Sequence, residues 1–285
     1  MISFVILNYG NFNDTIDCIK SIKNLKKSYM CSIIVVDNNT LSHNDITILK
    51  QYTKDIVLLN HNFGFANANN IGIRYAVENY NPNLVCVINN DIIINQTNFI
   101  YLIEHDYEKY NFDLLGTKID STSHESVNPF PVITDIESVK KELEKCNILI
   151  DIYSSSLLFL LLKIFLKIKH IFIRIKKPVN GCRLQKNVAL HCCAIVFSKN
   201  YLMKYKDAFD SRTFLFHEEE FIYQRIINDK LTSIYDPNIF LFHKEGSSLK
   251  KNHNNERIRK LFREKERIKS LNILLNDLEG GKHEK

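Results

Sequence analysis

Residues 84–91 read Leu-Val-Cys-Val-Ile-Asn-Asn-Asp, five β-prone residues that stop on two amides and a carboxylate. A short apolar run of this kind fits a strand buried on both faces, which is the habit of a parallel sheet covered by helices. The residues before it have the matching pattern. Ile2–Leu7, Ser32–Val36 and Ile56–Leu59 are further Val- and Ile-rich runs. Helix-like stretches separate them. One begins at Asp14, with Ile16, Ile19 and Ile22 at helical spacing; a second is Ile46–Tyr52. A third is Asn67–Asn79, with Ile71, Tyr75 and Val77 on or near its buried side. Strands alternating with helices predict βαβ units and a mostly parallel α/β sheet. Open sheets of that kind receive ligands at the carboxyl ends of their strands. Asp91 therefore stands where a cation and a phosphate could meet. Ions such as Mg2+ take one or two protein carboxylates and leave the rest of the shell to phosphates and water. A polar turn closing the strand is the plainer alternative.

Beyond residue 95 the pattern predicts a helix, a strand near Leu114–Thr117 and a polar loop holding Pro129 and Pro131. One long strand is expected over 188–197, helices over 199–206 and 218–229, and strands over Thr232–Tyr235 and Ile239–Phe242. From Asn255 the chain is charged and periodic, which predicts an amphipathic helix. This divides the chain into a catalytic domain over 1–250, interrupted by an insertion near 147–180, and a helical tail over 251–285. With 45% hydrophobic and 25% charged residues, the chain can bury a substantial core. The net charge of +6 admits anionic partners without choosing among them. None of the seven cysteines forms a Cys-x-x-Cys pair, so zinc spacing is absent and a reducing cytosol is the simplest reading. The first residues read as a strand, not a signal peptide.

Four segments in this order and spacing carry a resemblance. They are Val5-Ile-Leu-Asn-Tyr-Gly-Asn with Ile34-Val-Val-Asp-Asn-Asn, then Asn62-Phe-Gly-Phe-Ala-Asn-Ala-Asn-Asn-Ile-Gly72, then Asn89-Asn90-Asp91. The last is Phe214 to Arg225 with Tyr235-Asp-Pro and His243-Lys-Glu-Gly-Ser-Ser. Together they resemble the inverting glycosyltransferases of family 2 with the GT-A fold, in particular bacterial rhamnosyltransferase-like enzymes that build O-antigen and capsule. The resemblance implies transfer of a sugar from a nucleoside-diphosphate sugar to an acceptor hydroxyl, with a divalent cation, Mg2+ or Mn2+. It implies donor contacts at Asn8, Tyr9, Asp37, Asn62, Gly64, Asn69, Asn70, Asn89, Asn90 and Asp91, and metal ligation by Asp91 and His243. Asn89 stands where the family's Asp-x-Asp motif has its first acid, which leaves one carboxylate for the metal. His191 falls in the segment that contacts sugar or acceptor.

The resemblance also places the general base within Glu218-Glu219-Glu220. Helical geometry puts Glu219 on a face with Ile222 and Ile226, toward the core, where desolvation raises a carboxylate's pKa. Glu218 shares a face with Phe221 and Arg225 and could be held by that arginine. Glu220 is expected in solvent. Glu219 and Glu218 both remain candidates, and three acids favouring a helix amino end is the structural alternative. In the Asn62–Gly72 segment, Gly64 permits a positive φ. Asn67, Asn69 and Asn70 are placed to cap a helix starting near Ile71.

Residues 148–177 hold a Leu/Ile/Phe surface punctuated by Lys163, Lys167, Lys169, Arg174, Lys176 and Lys177. The uncharged stretch is too short for a membrane span of ~20 residues. It suits a helix lying on an anionic leaflet, where each basic residue contributes roughly 1 kcal/mol; a core or dimer-contact helix is the alternative. The expected partners are a lipid-linked saccharide acceptor and an anionic membrane surface, with no nucleic acid. The expected location is cytoplasmic, peripheral on the inner face of the bacterial plasma membrane. The rival classes are a nucleotidyltransferase of similar fold and a membrane-bound scaffold without catalysis. A nucleotidyltransferase would want a basic Gly-rich loop after the first strand, and no Lys or Arg precedes Lys20.

Overall fold

The computed structural model describes residues 1–121, 127–172, 183–244 and 255–280, with the side chains of all but 167–172. At its centre is a mixed sheet. β1 (Ile2–Asn8), β2 (Cys31–Asp37), β3 (Asp55–Leu58) and β4 (Leu84–Asn89) run parallel in the order β3-β2-β1-β4. The sheet continues through β8 (Ala194–Ser198), β6 (Leu114–Ser121), β9 (Ser233–His243) and β5 (Ile92–Ile93), and β7 (Gln185–Lys186) pairs with β9. β8 runs antiparallel to β4 and β6, while β6 and β9 are parallel.

Every residue of β1 is buried, because helices cover both faces as a parallel sheet requires. Phe4 and Ile6 pack with Ile16, Ile19 and Ile22 of α1 (Phe12–Lys23) and with Phe99 and Ile103 of α4 (Phe99–Tyr110). Val5 and Leu7 face the other way, onto Ala66, Ile73 and Ala76 of α3 (Gly64–Tyr80). The short α2 (His43–Leu49) links β2 to β3.

Three expectations change. First, α3 starts at Gly64, so Asn67, Asn69 and Asn70 lie inside the helix and cap nothing. The side chains of Asn38 and Asn62 accept from the N–H groups of Phe63 and Gly64 at 2.8 Å each, satisfying donors that a helix start leaves open. The buried face shifts with the start: Val77 is exposed, and Ile71 and Tyr75 are half-buried. Second, only 194–197 of the 188–197 run is strand, in β8, which ends at Ser198. The N–H groups of His191 and Cys192 go to the side chains of Asn128 and Glu219, not to a neighbouring strand. Third, the two strands expected over 232–242 are one, β9, whose register shifts opposite Thr117 and Lys118.

The remaining helices are α5 (Ile136–Ser154), α6 (Ser156–Phe172), α7 (Lys199–Lys204), α8 (Glu218–Asn228) and α9 (Glu256–Leu278). Tyr201 of α7 and Ile222 and Ile226 of α8 join the α3 side of the sheet, and α5, α6 and α9 form a second helical layer outside α8. Val139 and Cys146 of α5, Phe221 of α8, and Leu271 and Leu274 of α9 share one apolar cluster. Ser270 donates to the Leu215 carbonyl at 3.1 Å, and Arg212 joins Asp210 to Asp277. The C-terminal helix thus buttresses the segment that leads into α8. Its fastening is ionic. Glu264 is fully buried and accepts from Arg263 at 3.1 Å and Arg267 at 2.8 Å, and Arg267 also meets Glu142 of α5. Arg267→Ala leaves two buried or half-buried carboxylates short of a partner. It should cost about 3 kcal/mol, the scale for breaking a buried ion pair. Urea denaturation measures this, and an unchanged midpoint would contradict the fastening.

Candidate active site

Three strand ends lie side by side. β1 ends at Asn8, β2 at Asp37 and β4 at Asn89. The strand order turns about β1, which has β2 on one side and β4 on the other. The crevice at such a reversal is where open α/β sheets bind ligands.

On the β2 side, side chains organise the loops. Asn8 donates to Asp37 Oδ1 at 2.8 Å and to the Thr40 hydroxyl at 2.9 Å, and the Thr15 hydroxyl donates to Asn8. Asp37 also accepts from the N–H groups of Thr40 and Leu41. It therefore serves the turn that it begins. Asn38 completes this edge and was not singled out from sequence. Its Nδ2 donates to Asn62 Oδ1 at 2.8 Å and to the Gly64 carbonyl at 3.1 Å, and Asn62 donates to the Tyr9 hydroxyl at 3.1 Å. Tyr9, Asn38, Asn62 and Gly64 are thus one assembly at the mouth of the crevice. The signal for Asn38 was its place directly after Asp37 in a run of polar residues. Asn69 donates to the Phe65 carbonyl, and its buried Oδ1 has no hydrogen-bond partner among the described residues. Asn70 exchanges two 2.9 Å bonds with the backbone of Phe209. Both ends of its amide are engaged there.

On the β4 side, Asn90 donates to the Asn11 carbonyl and the Thr15 hydroxyl, each at 3.1 Å. Asn89 closes β4. The next acid, Asp91, is buried. Its Oδ1 lies 3.0 Å from His243 Nε2, and its carbonyl accepts the Lys244 N–H. Pairing of Ile92 with His243 brings these distant residues together. Among the described residues no three His, Cys, Asp or Glu converge as a metal cluster. One carboxylate and one imidazole nonetheless fit a Mg2+ or Mn2+ ion whose other ligands are phosphate and water. The Gly246-Ser-Ser segment beyond His243 lies outside the described residues.

A single turn joins the β4 tip to the glutamates. The Asn89 N–H donates to the Cys193 carbonyl at 2.9 Å, and the Cys192 N–H donates to Glu219 Oε1 at 3.0 Å. His191 Nδ1 lies 3.2 Å from the same Glu219 oxygen. Asn128 fixes this turn by accepting the His191 N–H at 2.6 Å, and the Phe130 ring packs edge-on against the imidazole. His191 is therefore part of the site. Arg225 does not hold Glu218: its guanidinium donates to the Tyr201 hydroxyl and the carbonyls of Asp207 and Ala208. Glu220 is not in solvent either. It is buried, 3.2 Å from His217 Nδ1.

These environments push two neighbouring carboxyls apart. Burial, with the charges of Glu219 and Glu220, raises Glu218 to about 8. Burial also acts to raise Glu219, but the His191 hydrogen bond and charge and the Cys192 N–H outweigh it and hold Glu219 below the ordinary carboxylate range. The expected upward shift thus belongs to Glu218. Burial disfavours the His191 imidazolium, yet Cys193 and Glu219 outweigh it and raise that pKa well above the ordinary value. The Cys193 N–H also donates to His191 Nδ1 at 3.1 Å, so this nitrogen lies between the Glu219 carboxylate and a backbone donor.

The approach to α8 is strained. Phe216 and His217 both take positive φ, +73° and +68°, a conformation costing about 1–3 kcal/mol for such side chains. Gly64 shares the constraint. At φ +79° a Cβ there would lie 2.2 Å from the Phe214 carbonyl, which accepts the Phe65 N–H at 2.7 Å. The loop over 62–64 and the approach to the glutamate helix are therefore locked together where only glycine fits.

The family model for glycosyl transferase family 2 matches residues 3–178. The chain belongs to that family. This family-2 chain is 30% identical over 138 residues to the low-salt glycan biosynthesis hexosyltransferase Agl10 of Haloferax volcanii. The match covers 46% of this chain and only 40% of that protein's length. Two solved structures share its fold. S. aureus TarS, residues 1–349, is 11% identical, with 96% of this chain and 71% of that one covered and a TM-score of 0.50. Mannosyltransferase PcManGT from Pyrobaculum calidifontis, solved with GDP-Man and Mn2+, is 10% identical, with 96% and 69% covered and a TM-score of 0.52. The fold is thus the GT-A arrangement of a mixed, mostly parallel sheet between helices.

The raised Glu218 has a consequence for stability. The folded chain keeps a proton that the unfolded chain releases at an ordinary 4.5. Between about pH 5 and 8 the native state binds more protons there, so stability falls as pH rises, by at most ~1.4 kcal/mol per pH unit. Glu218→Gln should flatten this part of the urea-midpoint-versus-pH curve. Equal slopes in the two proteins would contradict the shift.

Proposed function

We propose that this chain transfers a glycosyl group from a nucleoside-diphosphate sugar to an acceptor hydroxyl with inversion at the anomeric carbon. The observation that carries the reading is the turn His191–Cys193. It fastens the carboxylate of Glu219 to the β4 tip that ends in Asp91. An acceptor-activating base and a diphosphate-holding pair are thereby kept in one crevice.

Glu219 is the base. Its carboxylate is held ionised, and it accepts the acceptor proton as the acceptor oxygen bonds to the anomeric carbon. The bond from that carbon to the diphosphate oxygen breaks in the same displacement. His191 orients Glu219 and balances its charge. Glu218, protonated below about pH 8, is suited to hydrogen-bonding a sugar oxygen; carboxyls whose pKa values are pushed apart divide such roles. Asp91 and His243 would hold the divalent cation, Mg2+ or Mn2+, which would supply positive charge to the departing diphosphate. Tyr9, Asp37, Asn38 and Asn62 line the nucleotide side. The Mn2+ and GDP-Man bound to the mannosyltransferase of similar fold support the choice of cation and donor class.

The acceptor in this reading is a lipid-linked saccharide of bacterial surface polysaccharide synthesis, such as capsule or O-antigen. The enzyme works peripherally on the cytoplasmic face of the membrane. A nucleotidyltransferase is disfavoured by the family match, and a scaffold without catalysis would not need a buried carboxylate held ionised beside the strand tip.

A panel of nucleotide sugars tested by thermal shift, with and without Mn2+, identifies the donor. With that donor, Asp91→Ala should lower turnover by about a hundredfold or more and abolish metal-dependent donor binding. Glu219→Gln should lower turnover by roughly 10²–10⁴-fold and spare donor affinity. Unchanged kinetics in a folded Asp91→Ala protein would refute the diphosphate role. Loss on Glu218→Gln instead of Glu219→Gln would move the base to its neighbour.

A further inference from the structure

α6 has two unlike sides. Phe159 is buried against Tyr153, with ring centroids 5.7 Å apart, and Lys163 pairs with Glu256 of α9. On the other side, Leu157, Leu158, Leu160, Leu161, Ile164 and Phe165 are each 44–65% exposed. At 3.6 residues per turn these six fill an arc of roughly 160°. A stripe of that width on a surface helix ordinarily faces a core. Nothing among the described residues covers it here, and a contiguous apolar patch of this kind marks an interaction surface.

Charge selects the occupant. In the sequence no Asp or Glu occurs between Asp151 and Asp207, whereas Lys163, Lys167, Lys169, Arg174, Lys176 and Lys177 fall within 163–177; Lys163 is paired with Glu256, and the side chains of the other five lie outside the described residues. Two copies pressed together through this helix would bring like charges into contact. An anionic leaflet would meet the same charges with the opposite sign and take up the apolar arc at its headgroup boundary. Length argues against crossing. The uncharged stretch over 152–162 is eleven residues long, short of the ~20 that a span needs. Among the described residues no single helix is long and apolar enough to cross. α5 and the start of α6 pass only as a pair, bent by 111°.

We propose that α6 is an in-plane docking helix for an anionic bilayer surface, with the 157–165 arc in the headgroup–acyl boundary. The proposal deepens the membrane part of the reading above and does not depend on the transfer chemistry. Its position in the fold also has a use. α6 follows α5, and α5 and α9 pack on α8, so docking would hold the Glu219 end of the crevice near a lipid-borne acceptor.

The test uses the full chain and co-sedimentation with vesicles of phosphatidylcholine alone or with about 30 mol % phosphatidylglycerol. The wild type should partition at least about tenfold better onto the anionic vesicles, and Leu161→Glu with Phe165→Glu should abolish that binding. Both positions are exposed, and circular dichroism and thermal melting check that the variant folds. Turnover on a water-soluble acceptor should not change in the variant. If it does not change and vesicle binding is lost, docking stands whether or not the base assignment does. Equal binding to both vesicle types, or full retention by the variant, overturns the proposal. So does a wild-type dimer in sedimentation velocity that the variant loses without any vesicle binding, which would make a second copy the occupant. Resistance to alkaline carbonate extraction would likewise overturn it, in favour of a crossing segment.

Discussion

One turn of backbone carries the geometry on which the site depends. Residues 191–193 give a carbonyl to the Asn89 N–H at the tip of β4 and an N–H to Glu219 at the start of α8. These bonds join the parallel half of the sheet to α8. Through them the strand tip, the imidazole of His191 and the glutamate helix have fixed relative positions. Were these groups paired as an ordinary strand edge, β8 would be longer and Glu219 would lose both its N–H donor and its imidazole. The late start of β8 and the existence of the site are the same fact.

The surroundings carry the cost of this arrangement. Three glutamates are buried at one helix start, where carboxylates without partners are expensive. The site manages them separately. His191 and a backbone N–H hold one ionised, His217 lies beside another, and the third takes up a proton. Two consecutive residues at positive φ aim the helix, and Gly64 admits the Phe214 carbonyl at a distance no side chain would permit. The buttress of α5 and α9 holds the strained segment in place, which explains why the C-terminal helix packs on α8.

Much of this was legible in the sequence. The four parallel strands, α1, α8 and α9 follow from apolar periodicity, because each buries a continuous stripe that the pattern must encode. Asp91, His243 and Glu219 were singled out through motif order, and the pairing of β5 with β9 brings the first two within 3.0 Å. What was hidden depends on where backbone hydrogen bonds go. The 188–197 run has the composition of a strand, and only the side chains of Asn128 and Glu219 decide that half of it is a turn. Asn70 and Asn38 are the same residue type, one inside α3 and the other directly after β2. One is consumed by the Phe209 backbone and the other shapes the crevice, a difference made by loops distant in sequence. Glu220 was misplaced because an acid on a helix start is ordinarily solvated, and here the second helical layer encloses it.

The most direct measurement is a crystal structure of this chain with a nucleoside diphosphate and Mn2+, the ion located by its anomalous scattering. The account predicts the ion bonded to the Asp91 carboxylate, with His243 beside it. It also predicts the terminal phosphate turned toward the His191–Glu219 pair. A well-ordered diphosphate and ion bound away from the tip of β4 would contradict it.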